Sequence, residues 1–164
     1  MSTIAANRSA TLSSVAGNPP RTLHGAGISA ESVGVNSGLA LIRIVTGLVF
    51  FAHGAQKVFV YGLDGVAESF TTIGIPFGAI AGPLVALAEL LGGLALILGF
   101  LTRAAGFGLV PVMLGALFLV HLPPGFFLPN GYEFVLLLAA LAAGFGMMGG
   151  GAYSADALIA RRRN

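Results

Sequence analysis

The sequence has no cysteine and no tryptophan, and only 9% of its residues are charged. Without cysteine the chain has no disulfide, no thiolate nucleophile and no Cys-ligated zinc or iron–sulfur centre, so any redox chemistry must use a borrowed cofactor. Soluble globular domains carry about a quarter charged residues; here 56% of the 164 residues are hydrophobic and the mean hydropathy is +0.93. That balance belongs to an integral membrane protein. The formal net charge is only +2 and no basic patch is interleaved with aromatics, which sets nucleic acid aside as a partner. Residues 1–37 show neither hydrophobic periodicity nor an apolar run of signal-peptide length. With Arg8, Arg21 and the Pro19-Pro20 break they read as a disordered polar tail, an organellar transit peptide being the lesser alternative.

What the chain does have is long apolar runs, and the first of them is not purely apolar. Ser37 to Tyr61 is long enough to cross a bilayer yet carries Arg43, His53 and Lys57. A charge in hydrocarbon costs from ~2.5 to ~17 kcal/mol depending on snorkelling and local water, so these groups need partners. At ~100° per residue, with Arg43 at zero, Gly47 falls near +40°, Gly54 near +20°, Lys57 near −40°, Thr46 near −60° and His53 near −80°. Polar and hydrogen-sized side chains thus share one arc, the protein face, while Leu48, Val49, Phe51, Ala52 and Val58 fall mostly outside it.

Three more spans follow, about Phe77 to Leu101, Ala104 to Leu122 and Tyr132 to Met148. Between the first two, Gly62 to Pro76 is too polar to span, and Val66, Phe70 and Ile73 recur at helical spacing, which predicts a short interfacial amphipathic helix. The second span holds Glu89 near its middle, with Gly82, Gly92 and Gly93 on the same face, and repeats small-xxx-small spacing at Gly78/Gly82 and Ala88/Gly92. Pro111 interrupts the third span, and His121 ends it. The fold expected is an all-α membrane protein, four transmembrane helices in an antiparallel bundle over 38–150, with a basic C-terminal tail over 151–164.

An even number of spans returns the chain to the side where it began. With both termini cytoplasmic, Arg8, Arg21, Arg43, Arg103, Arg161, Arg162 and Arg163 lie on or near the inner side and Lys57 alone lies toward the outer one. At ~1.5 Å per residue from the inner end of each span, Arg43 lies ~8 Å deep, Glu89 ~18 Å and His53 ~22 Å, with Lys57, His121 and Glu133 near the outer boundary. His53 and Glu89 can then meet, and Lys57, His121 and Glu133 form a second cluster just outside them. Arg43, His53, Lys57, Glu89, His121 and Glu133 are therefore the candidate residues of a polar cavity in the outer half of the bundle.

Several motifs in order carry a resemblance. They are Arg43-x3-Gly47, Phe51-Ala52-His53-Gly54-x2-Lys57, Gly74-Ile75-Pro76, Glu89-x2-Gly92-Gly93 and Gly99-x2-Thr102-Arg103. After these come His121-Leu122-Pro123-x-Gly125-Phe126-Phe127, Asn130-Gly131-Tyr132-Glu133 and Gly149-Gly150-Gly151-x-Tyr153-Ser154-x-Asp156. Over about Gly38 to Leu158 the chain resembles the DoxX family of small bacterial membrane proteins. The resemblance implies a four-helix protein of the bacterial inner (plasma) membrane, associated in some members with redox systems. The namesake accompanies a thiosulfate-to-quinone oxidoreductase, and other members are linked to oxidative-stress complexes.

Two function classes follow. In the first, the cavity binds a quinone head group: His53 or His121 hydrogen-bonds a quinone oxygen, Glu89 exchanges protons, Lys57 stabilises developing negative charge, and electrons pass through a membrane or cytoplasmic redox partner. In the second, the protein is an anchor or assembly subunit without chemistry, its buried charges acting as interhelical glue, with Arg43 and Glu89 as a structural ion pair. Small-solute permeation would need a homo-oligomer, since four helices rarely enclose a pore. Zinc, iron or haem at His53, His121, Glu89 and Glu133 has suitable side chains but no HxxxH or ExxH spacing on one helix, so no metal ligand is assigned. Several features carry simpler readings. Glu133 favours the positive end of the fourth helix, Tyr132 is an interface aromatic, and the Arg161–Arg163 run is a topology determinant touching anionic lipid.

Overall fold

The computed structural model describes residues 30–163, and every regular element among them is helical. Helix α1 (Ala30–Ala55) passes without a gap into a π-helical turn, Gln56–Tyr61, and Gly62, at φ +73°, breaks that turn and opens α2 (Gly62–Thr72). Helix α3 is Gly78–Leu98, and α4 (Thr102–Ala116) ends in a second π-helical turn, Leu117–His121. Helices α5 (Glu133–Met148) and α6 (Ala155–Arg163) complete the chain. The polar tail expected over 1–37 overlaps α1 from Ala30 onward; Arg8, Pro19, Pro20, Arg21 and His24 lie outside the described residues.

Three helical runs are long and apolar enough to cross a membrane: 32–72, 78–98 and 102–121, with 133–148 as a shorter apolar helix. At 1.5 Å per residue, α3 is about 32 Å long and α5 about 24 Å, against a hydrocarbon core of about 30 Å. Most outward-facing positions are apolar, among them Leu41, Val45, Leu48, Leu84, Leu91, Leu98 and Leu137, and the exposed polar ones of the first run, such as Gln56, Asp64 and Glu68, lie toward its far end. A surface of that kind is stable only against lipid. The protein is therefore an all-helical membrane bundle.

Helix α3 is the hub, and its glycines decide how near each neighbour comes. At Gly93 a Cβ would meet the backbone of Phe51 and of Gly47. At Gly54 it would meet the backbone of Leu90, and at Gly47 it would lie 2.8 Å from the Gly93 carbonyl. Backbone thus touches backbone along the α1/α3 seam, as small residues permit in membrane bundles. Gly78 and Gly82 instead receive α2, where Val66 is buried against Gly82, and Gly92 receives the Leu109 side chain of α4. Gly106 on α4 meets Ala142 and Gly146 of α5. Between these seams Phe50, Leu96, Leu109, Met113 and Phe145 form the core.

One end of the bundle, the basal end, gathers both termini of the described chain. Arg43, only 2% exposed, donates from Nη1 to the Gly150 carbonyl at 2.5 Å and from Nη2 to the Tyr153 carbonyl at 2.8 Å. Its Nε is buried without a partner. Left-handed Gly99 and the Gly149–Gly151 turn leave the guanidinium room, since a Cβ on Gly99 or Gly150 would strike it. Nearby, Asn36 Oδ1 accepts the Ala152 N–H, and Ser154 caps α6 by accepting the Ala157 N–H at 3.1 Å. Asp156 then reaches back to the start of α4, accepting the N–H of Leu101 at 2.8 Å and of Thr102 at 2.9 Å. Leu101 has φ +49°, a left-handed value costly for a leucine, and this carboxylate helps to hold it. Most of the expected C-terminal tail is helix α6, tied to the bundle at its first turn through Asp156.

Burial pushes the Asp156 carboxyl up, but the Thr102 and Leu101 N–H groups and the Arg43 charge outweigh it and hold the group below its ordinary value of 3.8. A depressed folded value means the stabilisation is present above that ordinary value and is lost as pH falls through the folded one. Asp156→Ala is expected to lower stability by about 1–2 kcal/mol at neutral pH and to flatten the acid limb of a thermal-unfolding series in nanodiscs. An unchanged pH profile contradicts the assignment. Gly93→Ala or Gly54→Ala should cost about 1–3 kcal/mol by prying α1 from α3, read as a drop in the unfolding midpoint, whereas Gly108→Ala, in open space, should leave it unmoved.

Candidate functional site

Helix α1 packs chiefly on α3 and α4 chiefly on α5, while α1 meets α5 only slightly. The α1/α5 seam is bonded at the basal end through Arg43. Toward the opposite, apical end it leaves a cavity of about 240 Å³. Phe50, Met113, Phe134 and Leu138 supply apolar walls, and the polar groups facing the space are His53, Lys57, Glu89 and His121. Such a chamber, mostly apolar with a few convergent polar groups, is the usual form of a small-molecule site.

Lys57 Nζ and Glu89 Oε2 form a salt bridge across the α1/α3 seam. Glu89 is 4% exposed and has no other polar partner among the described contacts, so the lysine charge is what allows a carboxylate at this depth. Two of these side chains ride on π-helical turns, Lys57 in the first and His121 as the last residue of the second. Insertions of this kind re-aim side chains within an otherwise regular helix and recur at functional sites. A second crevice, between the first π turn and α2, is lined by Lys57, Tyr61, Ser69 and Phe70, so Lys57 is approached from two sides.

The helical-wheel arc drawn from the sequence describes α1 well at most positions. Arg43, Thr46, Gly47 and Gly54 are buried and Lys57 is half-buried. His53, at the edge of the arc, is exposed and faces α5, its ring 6.4 Å from that of Phe134. The reason is Gly54, which occupies the line of closest approach to α3 and leaves His53 one residue, ~100°, to the side. His53 therefore lines the chamber but is not the partner of Glu89.

Three expected associations need correction. Arg43 does not pair with Glu89: it finds carbonyls of the C-terminal segment at its own level, and Lys57 satisfies Glu89. Lys57 and His121 do not form an outer cluster apart from His53 and Glu89; all four line one space. Glu133 is not part of it. As the first residue of α5, it turns its carboxylate back to accept the Leu128 N–H at 2.8 Å, organising the 122–132 loop that Phe126 and Tyr132 also brace edge-to-face. Among the described residues no three His, Asp or Glu side chains gather as a metal site. Sequence reasoning missed Phe50, the most buried aromatic of the chamber wall, although at about −20° it falls in the middle of the polar arc. Asp156 closed the last of the family motifs but was given no role, and it proves to hold the start of α4.

The DoxX family model matches residues 38–122, the stretch that supplies Arg43, His53, Lys57, Glu89 and His121. CatD of Bacillus subtilis (strain 168), which bears the name "Putative oxidoreductase CatD", is 32% identical over 104 residues, covering 63% of this chain and 75% of that protein. No solved structure matches the chain. With the family match spanning more than half of its length, and the bundle and motifs in agreement with it, the chain belongs to the DoxX family.

Proposed function

We propose that the protein is an accessory, quinone-contacting component of a membrane redox or oxidative-stress assembly, with the ring head group held in the apical chamber. The observation that carries this reading is the Lys57–Glu89 ion pair set in the wall of an otherwise apolar space that two histidines also face. A dry cavity of about 150 Å³ accepts one benzene ring, so 240 Å³ suits a single substituted ring. The oxidoreductase name of the relative CatD points the same way. The proposed home is the bacterial inner membrane.

When bound, a quinone takes up two electrons and two protons to become the quinol. In this reading the electrons come from a partner redox protein, the chain having no cysteine to hold an iron–sulfur centre or to form a redox disulfide. The chain's residues bind and orient the ring and handle protons. His53 and His121 offer imidazole nitrogens as donors to ring oxygens, Phe134 and Phe50 confine the ring, and the Glu89 carboxylate takes a proton from the Lys57 ammonium and passes it to the ring, once for each of the two protons, with Lys57 reprotonated from water each time. The crevice beside Tyr61 and Ser69 gives Lys57 its exchange with water at the apical surface. The Lys57 charge stabilises negative charge as it develops on the ring.

Removing both members of a buried ion pair is far milder than removing one, and this separates chemistry from glue. The double variant Lys57→Met/Glu89→Met should keep its unfolding midpoint within a few degrees while losing at least tenfold in affinity for a benzoquinone, measured by fluorescence quenching or calorimetry in nanodiscs. Wild-type protein that binds no quinone, or a double variant that binds it as well, ends the reading.

Exposed Arg103 and Arg161–Arg163 stand at the basal end and Lys57 at the apical end, which supports cytoplasmic termini. Because the chain is free of cysteine, single introduced thiols report orientation cleanly. Asn130→Cys should react with an impermeant maleimide in spheroplasts, and Arg163→Cys only after lysis; the reverse pattern inverts the topology.

A further inference from the structure

The chamber does not end at its apolar wall. A second cavity of about 260 Å³ lies along the α3/α4 seam and shares four of its lining residues with the chamber: Phe70, Val85, Ala116 and Val120. Its other walls include Ala81, Pro111, Gly115 and Leu119, and no ionisable side chain lines it. Along α3 the sequence of facing residues is Glu89, Val85, Ala81 at one-turn intervals, so one stripe runs from the ion pair through the shared wall into the apolar groove. Its rim at Pro111 and Leu119 is exposed on the apolar outer surface of the bundle, where lipid lies.

We infer that this groove takes the hydrocarbon chain of the same molecule whose head sits against Lys57 and Glu89, so that the ligand is a ring with a long apolar, prenyl-type tail rather than a free polar ring. The inference rests on the quinone reading above and specifies its substrate class. A head group buried among Phe50, Phe134 and Leu138 must lead its tail out of the bundle somewhere. The groove is an apolar route that adjoins the chamber at Phe70, Val85, Ala116 and Val120, and Gly115 leaves space along it. Lipid tails are as apolar as the groove, so the gain is in packing and orientation rather than in transfer from water.

Gly115 makes the test possible, because a Cβ added there meets nothing within 4 Å. Gly115→Leu fills the groove without pressing on backbone. The probes are a tail-less dimethoxy-methyl-benzoquinone and the same ring bearing a decyl chain, titrated into wild type and variant in nanodiscs of one lipid composition, which cancels membrane partitioning. Gly115→Leu is expected to weaken the decyl compound about tenfold and to change the tail-less ring less than twofold, with the unfolding midpoint kept. If both compounds bind the variant as they bind wild type, or both weaken equally, the tail groove is refuted while the head-group reading stands. If neither binds wild type, the head-group reading fails and takes this inference with it. Loss confined to the decyl compound establishes it.

Discussion

A guanidinium inside an apolar bundle has to be met by oxygen, and much of this structure can be traced to how Arg43 is met. Its two carbonyl partners belong to Gly150 and Tyr153, just beyond the last apolar helix. Fastening α1 to that segment brings α6 under the bundle, where Asp156 closes the start of α4 and supports the left-handed Leu101. The same bonds close the α1/α5 seam at one end only. At the other end the two helices stand apart, and the chamber occupies the space between them.

The chamber has a comparable internal logic. Three helices bring one polar or titratable group or two each; Lys57 and Glu89 pair directly, and His53 and His121 line the same ligand-sized space. The π turns matter here because a regular helix through residues 56–61 would carry Lys57 at a fixed angle from Gly54. The wider turn gives the lysine a different approach to α3. Apolar walls lower the local dielectric and thereby strengthen each electrostatic contact within.

Much of this was legible in the sequence, because lipid imposes strict rules. Spans, the short second helix and the return of both ends to one side follow from apolar length and breakers, and the buried arc of α1 follows from helical phase. Glycines at 47, 54, 82 and 93 announced close seams. What sequence could not give was the choice among partners. Depth offered Glu89 His53 or Arg43 as partner and set Lys57 outside, whereas the decision lay in Gly54 taking the contact line and in a π turn that no periodicity reveals. The role of Asp156, though the residue stands in a family motif, was hidden for another reason: its partners are backbone N–H groups 54 and 55 residues away, which carry no side-chain signature.

The Arg43 bonds also set an order of events during biosynthesis. The guanidinium enters with the first helix, while the Gly150 carbonyl that receives it lies 107 residues further along. At about 5–20 residues per second, the ribosome needs on the order of 5 to 20 s to make that stretch. During this interval the arginine must reach toward the headgroups for hydration. The bundle can thus close only once the final turn has been synthesised, and a chain that stops short of Gly150 keeps an unanswered charge in the membrane. In a cell, that charge distinguishes an unfinished copy from a finished one.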